Sequence, residues 1–418
     1  MSSSRVLVDA PWLTPGPTAR VLELLNGNGE EARVIGGAVR NALLKLPVAD
    51  IDIATTALPD EVIRRARAAG IKSVPTGIEH GTVTLVVDGH PFEVTTLRED
   101  TETFGRKAKV AFGRDWIRDA ERRDFTINGL SVDADGVVHD HVGGLADIEA
   151  KRVRFIGDPG QRISEDYLRI LRFFRIHAAY GAGEPDRAGY LACVSARAGL
   201  ASLSAERVRM EMLKLMVAQR AAGAVQVMAD GGLLLPLFGG VAYTGPFNAM
   251  IAAERLIGFE PGAVRRLGAL AVAVTEDARR VALRLRLTNA ETKTLDSMGH
   301  RWWRLAGMDE ATARRRLYRL GEDRYRDRLM LAWARAGRDT DPAPWRELAA
   351  LPQRWSAPKF PLKAADFIAR GIAQGPMLGQ VLALAEDAWL AAEFPLDQSA
   401  LKSIADQTVA RFTRDARP

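Results

Sequence analysis

Two hydrophobic periods run along this chain, and the change from one to the other divides it. Before about residue 160 short apolar runs alternate with helical stretches. Val34-Ile35 reads as a strand, and Ala38 to Leu46 has helical spacing that Pro47 would end. Ile51 and Ile53 then alternate with Asp50 and Asp52, so a strand's period of two puts both aspartates on one face. Pro59 to Ala69 reads as a helix and Ile71 to Val74 as a strand. Thr82–Val87 and Phe92–Leu97 alternate on either side of Asp88-Gly89, which predicts a hairpin with a two-residue turn. Residues 99–115 hold two glycines, scattered charge and weak periodicity, and read as a mobile loop. Asp140 to Ile156 reads as a Gly-Gly turn, a short helix and a strand. Beyond this point helical spacing takes over. Arg162 to Ala178 is expected as one helix with Ser164 as N-cap. A second capped helix starts at Ser204, and from 241 onward nearly everything is helical, with a capping box at Thr288-x-x-Glu291. The fold class is therefore α+β: a mixed head followed by an all-α remainder.

Four clusters on this frame carry chemistry. Gly36-Gly37 opens a helix, where backbone N–H groups can approach a phosphate, and Arg40 follows one turn on. Asp50 and Asp52 offer oxygen ligands to Mg²⁺. Glu93 on the hairpin becomes a third acidic group if that hairpin pairs beside the aspartate strand; otherwise it is a surface glutamate. In Arg122-Arg123-Asp124-Phe125-Thr126-Ile127-Asn128, Arg123 can bind triphosphate or ribose, and Asp124 can hold Arg123 or a sugar hydroxyl. Asp166, Arg169, Arg172 and Arg175 recur every third residue on the expected helix and form its polar arc. An aspartate accepts from an exocyclic amino group, and an arginine beside it donates to a ring acceptor. Cytosine and adenine share that edge; uracil and guanine lack it. One Asp–Arg pair would therefore take CTP and ATP.

The string Gly36-Gly37-x-x-Arg40-Asn41 followed by Asp50-x-Asp52 resembles the first motif of the class II nucleotidyltransferases, the family of CCA-adding enzymes and bacterial poly(A) polymerases. Residues 122–128 resemble its second motif, 140–156 its hinge motif and Glu165-Asp166-x-x-Arg169 its base-reading motif. The segment 204–216 is similar to its last motif, with Arg207 and Glu211 in structural roles. Gly129 and Asn41 depart from the alanine and aspartate usual there. The resemblance implies a polymerase-β-like nucleotidyltransferase head at 32–154 behind an N-terminal lead and cap helix (1–31). It further implies a helical neck at 155–240 and an RNA-binding helical body and tail at 241–418. Asp50 and Asp52 would be catalytic and hold Mg²⁺, with Glu93 completing the site or accepting the proton. Gly36, Gly37, Arg40, Arg123, Asp166, Arg169, Arg172 and Arg175 would bind the nucleotide. EVTTLR at 93–98 and the flexible stretch that follows also sit where the family places such segments.

Composition narrows this little. The 418 residues are 47% hydrophobic and 26% charged, with a formal charge of +6, and a nucleic-acid partner is compatible with that excess. Cys193 is the only cysteine, which excludes a disulfide framework and makes a reducing cytoplasm the expectation. No apolar run approaches the length of a membrane span, and MSSSRVLVDA has no apolar core of signal-peptide length. Residues 301–328 hold nine arginines against five acids, interleaved with Trp302, Trp303, Tyr318 and Tyr325. That suits an RNA backbone or, equally, helix surfaces around core aromatics. Gly371–Gly379 before a helix is open in the same way. The expected activity is CCA addition to a tRNA 3′ end from CTP and ATP. Poly(A) addition, CC-only or A-only addition, and a non-catalytic tRNA-binding protein remain the alternatives.

Overall fold

The computed structural model describes residues 5–7, 10–104, 107–337 and 340–415. Ten strands are present among them: β1 (Arg5–Val6), β2 (Ala32–Ile35), β3 (Asp52–Thr55), β4 (Lys72–Gly77), β5 (Thr82–Val87), β6 (His90–Thr96), β7 (Arg98–Phe104), β8 (Lys107–Phe112), β9 (Ser131–Val132) and β10 (Val137–His139). Eight of them form one sheet in the order β1-β10-β9-β2-β3-β6-β5-β4. Every pairing in it is antiparallel except β3 with β6. That parallel pair sets Glu93 opposite Asp52. The β5–β6 turn is Asp88-Gly89 with φ of 50° and 81°, the two positive values that the Asp-Gly signal demands.

Helix α1 (Pro17–Leu25) buries Val21, Leu22 and Leu25 and packs on β2, β5 and α3 (Pro59–Ala68). Arg65 of α3 donates to the carbonyls of Leu25 at 2.9 Å and Gly27 at 3.1 Å, closing the C-terminal end of α1.

Four expected elements are redrawn. First, β3 begins at Asp52, so Asp50 lies in its lead-in and the two aspartates do not share a strand. The reason is in β2, which ends at Ile35 opposite Asp52 and turns away at Gly36 with φ 68°. Second, the helix after Gly36 stops at Leu43, because Lys45 takes the left-handed conformation and Asn41 Nδ2 donates to the Pro47 carbonyl at 2.9 Å. Third, the stretch read as a loop pairs with itself, β7 against β8, in a separate two-stranded sheet. Its tip, residues 105–106, lies outside the described residues. Fourth, 153–156 is not a strand; Phe155 makes one isolated bridge to Phe125.

The chain separates into two compact units, Met1–Thr244 with Leu283–Leu287, and Gly245–Ala282 with Thr288–Pro418. The second is helical, and the Thr288 capping box forms as expected. Its interior is aromatic: Tyr325, Trp333 and Trp345 in one cluster, Phe367, Trp389 and Phe394 in another.

Candidate active site

Strand register assembles the acidic edge. Because β2 runs antiparallel to β3, the glycine turn at the end of β2 lies beside the first residue of β3. Gly36 is favoured there by its positive φ, and a Cβ would stand in contact with Arg123 Nη1 at 3.4 Å. The next helix, α2 (Gly37–Leu43), has no side-chain cap on its first turn. Asp52 opens toward the same space. Loss of hydration, then the negative Glu93, raises its pKa; Arg123 opposes this and Asp50 adds to it.

Arg40 of α2 is 7% exposed, yet all its side-chain partners are neutral. It donates to Asn128 Oδ1 at 2.5 Å, to the Tyr180 hydroxyl at 2.7 Å and to Asn41 Oδ1 at 2.9 Å. Burial first, and then Arg175 and Arg172, push its pKa downward. Asn41, the departure from the usual aspartate, accepts from Arg40 while donating to Pro47, which an ionised aspartate could not do.

The second motif is built on helix α4 (Trp116–Glu121), N-capped by Asp115. Arg123 is held by Asp119 at 3.0 Å, not by Asp124 as expected. Asp124 instead accepts from Arg172 Nε at 2.7 Å and from the Phe125 N–H at 2.9 Å. Burial raises the Asp124 pKa, but Arg172 and these donors outweigh it and hold the carboxyl below its usual range. The other departure is also explained. A Cβ on Gly129 would stand 2.6 Å from Val142 Cγ2 and 3.3 Å from Ile156 Cδ1, so neighbouring apolar side chains fill the place of a methyl group. Thr126 Oγ1 donates to the fully buried Asp147 at 2.6 Å, tying this motif to helix α5 (Gly144–Glu149).

The expected long helix is two helices, α6 (Pro159–Glu165) and α7 (Leu168–Tyr180), with Asp166 extended between them at φ −154° and ψ 106°. Asp158, not Ser164, is the N-cap of α6, and Ser164 Oγ donates to the Gln161 carbonyl. Asp166 caps the Leu168 N–H at 3.0 Å and is gripped by Arg207 at 2.5 Å from helix α9 (Ala205–Met216), which follows α8 (Arg187–Ser195). Arg169 is held by Glu165, and Arg175 by the buried Glu211 of α9. Glu165 also takes Arg162 at 2.6 Å, which in turn donates to the Arg123 carbonyl at 2.6 Å. The arginines thus share a face, but carboxylates from behind hold them in place of solvent.

These groups line one cleft of about 480 Å³: Gly36, Gly37, Arg40, Asp52, Arg123, Asp124, Asn128, Asp166, Arg169, Arg172, Arg175 and Arg207 among them. Six are arginines and three are aspartates. A second cavity of about 480 Å³ meets it at Asp52 and is lined by Asp50, Asp52, Thr84, His90, Phe92 and Glu93. Asp50 and Glu93 therefore reach Asp52 from the side away from the arginines. Sequence reasoning missed Asn128, Asp119 and the cleft position of Arg207. The first two lay in or beside a motif already singled out, and Arg207 lay in the last motif, where it was assigned to structure and not to the cleft.

The donor set suits a divalent cation. Asp52 and Glu93 repel one another, and Arg123 is the cation that offsets them. Among the described residues no three carboxylate, histidine or cysteine groups form a ready-made cage. Mg²⁺ commonly takes one or two carboxylates and completes its shell from substrate phosphates and water.

In the second unit the interleaved aromatics divide. Tyr325 is fully buried and donates to the Leu348 carbonyl at 3.0 Å, while Trp303 is 49% exposed.

A glycine turn, a carboxylate edge on a mixed sheet and a cationic cleft define a nucleotidyltransferase. Residues 32–154 match the family described as Poly A polymerase head domain, and 191–243 that described as the probable RNA and SrmB-binding site of polymerase A. The mitochondrial CCA tRNA nucleotidyltransferase 1 of Mus musculus is 32% identical over 390 residues, covering 92% of this chain and 89% of that protein. A CCA-adding enzyme of Limosilactobacillus fermentum is 31% identical over 377 residues, covering 88% and 90%. The crystal structure of the Bacillus stearothermophilus CCA-adding enzyme in complex with CTP superposes with a TM-score of 0.74 at 26% identity, covering 95% of this chain and 98% of that one. The chain belongs to the CCA tRNA nucleotidyltransferase family. No helix among the described residues is long and apolar enough to cross a membrane.

Proposed function

We propose that the chain adds CCA to tRNA 3′ ends from CTP and ATP, releasing pyrophosphate, with 32–154 as catalytic head, 155–240 as base-reading neck and 241–418 as RNA-gripping body and tail. The observation that carries this reading is Arg40: a buried guanidinium whose hydrogen-bond partners are all neutral, at the back of a cleft with Asp52 on its wall. A buried cation with no carboxylate in direct contact is costly, Asp124 offsetting it only from a distance, and a triphosphate supplies that contact. Gly36, Gly37, Arg40 and Arg123 hold the phosphates and sugar. Asp166 and Arg169 read the base, with Arg172 and Arg175 beside them.

Asp50 and Asp52 would hold Mg²⁺, which when bound would lower the pKa of the attacking hydroxyl and offset charge on the leaving group. The RNA 3′-hydroxyl enters from the Asp50–Glu93 side, and Glu93, which lines that cavity, would accept its proton. The cationic cleft on the opposite side of Asp52 keeps the triphosphate in line. The setting is a reducing compartment such as the cytoplasm, supported by the single buried cysteine, Cys193.

The test is a tRNA lacking its last three nucleotides, incubated with Mg²⁺ and each nucleoside triphosphate, with product ends sequenced. C, C, A and a stop is the expected outcome. A long adenosine ladder, or no incorporation, overturns the reading.

A further inference from the structure

We infer that Arg207 is a specificity-positioning residue: it acts on the choice of base through Asp166 without touching the base. The inference rests on the base-reading role proposed above for Asp166 and Arg169.

Asp166 stands at the break between α6 and α7, where the backbone is extended and no helix holds its side chain. Two other contacts orient it. Its Oδ1 accepts the Leu168 N–H at 3.0 Å, and Arg207 grips both oxygens, Nη1 to Oδ1 at 3.3 Å and Nη2 to Oδ2 at 2.5 Å. A forked contact of this kind fixes the plane of a carboxylate as well as its position. A carboxylate held in this way only accepts. Three of about four acceptor sites are thereby used, and the last is left for one incoming donor. The amino group of cytosine or adenine satisfies it. The carbonyl of uracil or guanine at the same place meets a lone pair.

Arg207 is itself fixed from its own helix. One turn along α9, Glu211 is buried and pairs with Arg175 of α7, so α9 is pinned to α7 at both Asp166 and Arg175. Asp166, Arg169 and Arg207 all line the nucleotide cleft. Without the Arg207 fork, Asp166 is free to rotate and no longer presents its remaining lone pair in one direction.

The experiment compares kcat/KM for CTP and UTP in the first addition, for the wild-type chain, Arg207→Gln, Arg207→Lys and Asp166→Ala. The CTP-to-UTP ratio is independent of the fraction of active enzyme, so partial misfolding of a variant does not disturb it. Arg207→Gln is expected to lower the ratio roughly tenfold to a hundredfold, the range one lost bidentate contact covers. Arg207→Lys should fall between, because a point charge restores attraction but not the fork. A ratio unchanged in Arg207→Gln, with CTP and UTP losing equally, overturns the inference and leaves Arg207 a structural residue. If Asp166→Ala loosens the ratio while Arg207→Gln does not, only this inference fails. If Asp166→Ala also keeps the wild-type ratio, the base-reading assignment fails with it.

Discussion

The cleft arginines and those of residues 301–328 are held in opposite ways. In the cleft, Arg123, Arg169, Arg172, Arg175 and Arg207 each rest on a carboxylate, from Asp119, Glu165, Asp124, Glu211 and Asp166. Their guanidinium planes are set before any ligand arrives. Arg301, Arg304 and Arg324 of the helical unit are exposed, and among the described residues none of them is paired with a carboxylate. Burial and the like charges of Arg324 and Arg316 push the pKa of their neighbour Arg328 downward. Fixed planes suit reading one base edge, where an ångström matters. Loose chains suit a phosphate backbone that presents charge at many positions. The same residue type therefore does two jobs, and the difference lies in what stands behind it.

The largest effect expected on this contrast is at the edge both cavities share. Asp52→Ala should lower nucleotide incorporation at least about a thousandfold, roughly 4 kcal/mol in the barrier. Retention of the tRNA in a gel-shift assay should persist, since the exposed arginines of the helical unit are untouched. Turnover near the wild-type rate would remove Asp52 from the chemistry.

Next comes the scaffold behind the arginines. Asp124 is 9% exposed and holds Arg172, whose side chain is 35% exposed. Breaking a buried pair costs about 3–5 kcal/mol, less where one partner still meets water, so Asp124→Ala should destabilise the chain by about 2–3 kcal/mol at pH 7. The pH dependence has a definite sign. The folded pKa of Asp124 is depressed, so its contribution is complete above the unfolded value near 3.9 and is lost as pH falls through the folded one. Denaturant melts of the variant and the wild type should converge below about pH 4. A gap that stays constant to pH 3 would break the comparison, because the carboxylate would then not be holding the arginine.

Arg40 is the exception within the cleft, having neutral partners only, and so it tests whether charge or geometry matters more. Removing a charged hydrogen-bonding group costs about 1.5–3 kcal/mol. Arg40→Ala should therefore raise the KM for CTP and ATP about 10- to 100-fold, with the CTP-to-UTP ratio kept. A changed ratio would move Arg40 from phosphate holding to base reading.

Much of the head was legible because its signals are local. Asp88-Gly89 fixes its own turn, and the alternation of Phe92–Leu97 predicted a strand whose Glu93 falls beside Asp52. The break at Asp166 was not legible. Residues 159–180 keep helical spacing throughout, and the contact that fixes the extended residue comes from Arg207, forty-one positions away. The partners of Arg172 and Arg175 were hidden for the same reason. Asp124 lies forty-eight residues from Arg172, and Glu211 thirty-six from Arg175. The pairing of β7 with β8 was missed because residues 99–112 show little hydrophobic alternation, the signal on which a strand is read.

The smallest single effects should come from the loose arginines. Each exposed cation on a nucleic-acid backbone is worth at most about 1 kcal/mol, so Arg301→Ala, Arg304→Ala or Arg324→Ala alone should weaken tRNA binding only about two- to fivefold. The salt dependence is the sharper readout. Each phosphate contact removed lowers the slope of log K against log salt by roughly one, so the triple variant should lose about three. Base choice should not move, because none of these side chains lines the nucleotide cleft. An unchanged slope would show that the exposed arginines are ordinary solvated surface. The contrast with the cleft would then reduce to one region that binds and one that only folds, since Tyr325 and Trp302 already pack with the core.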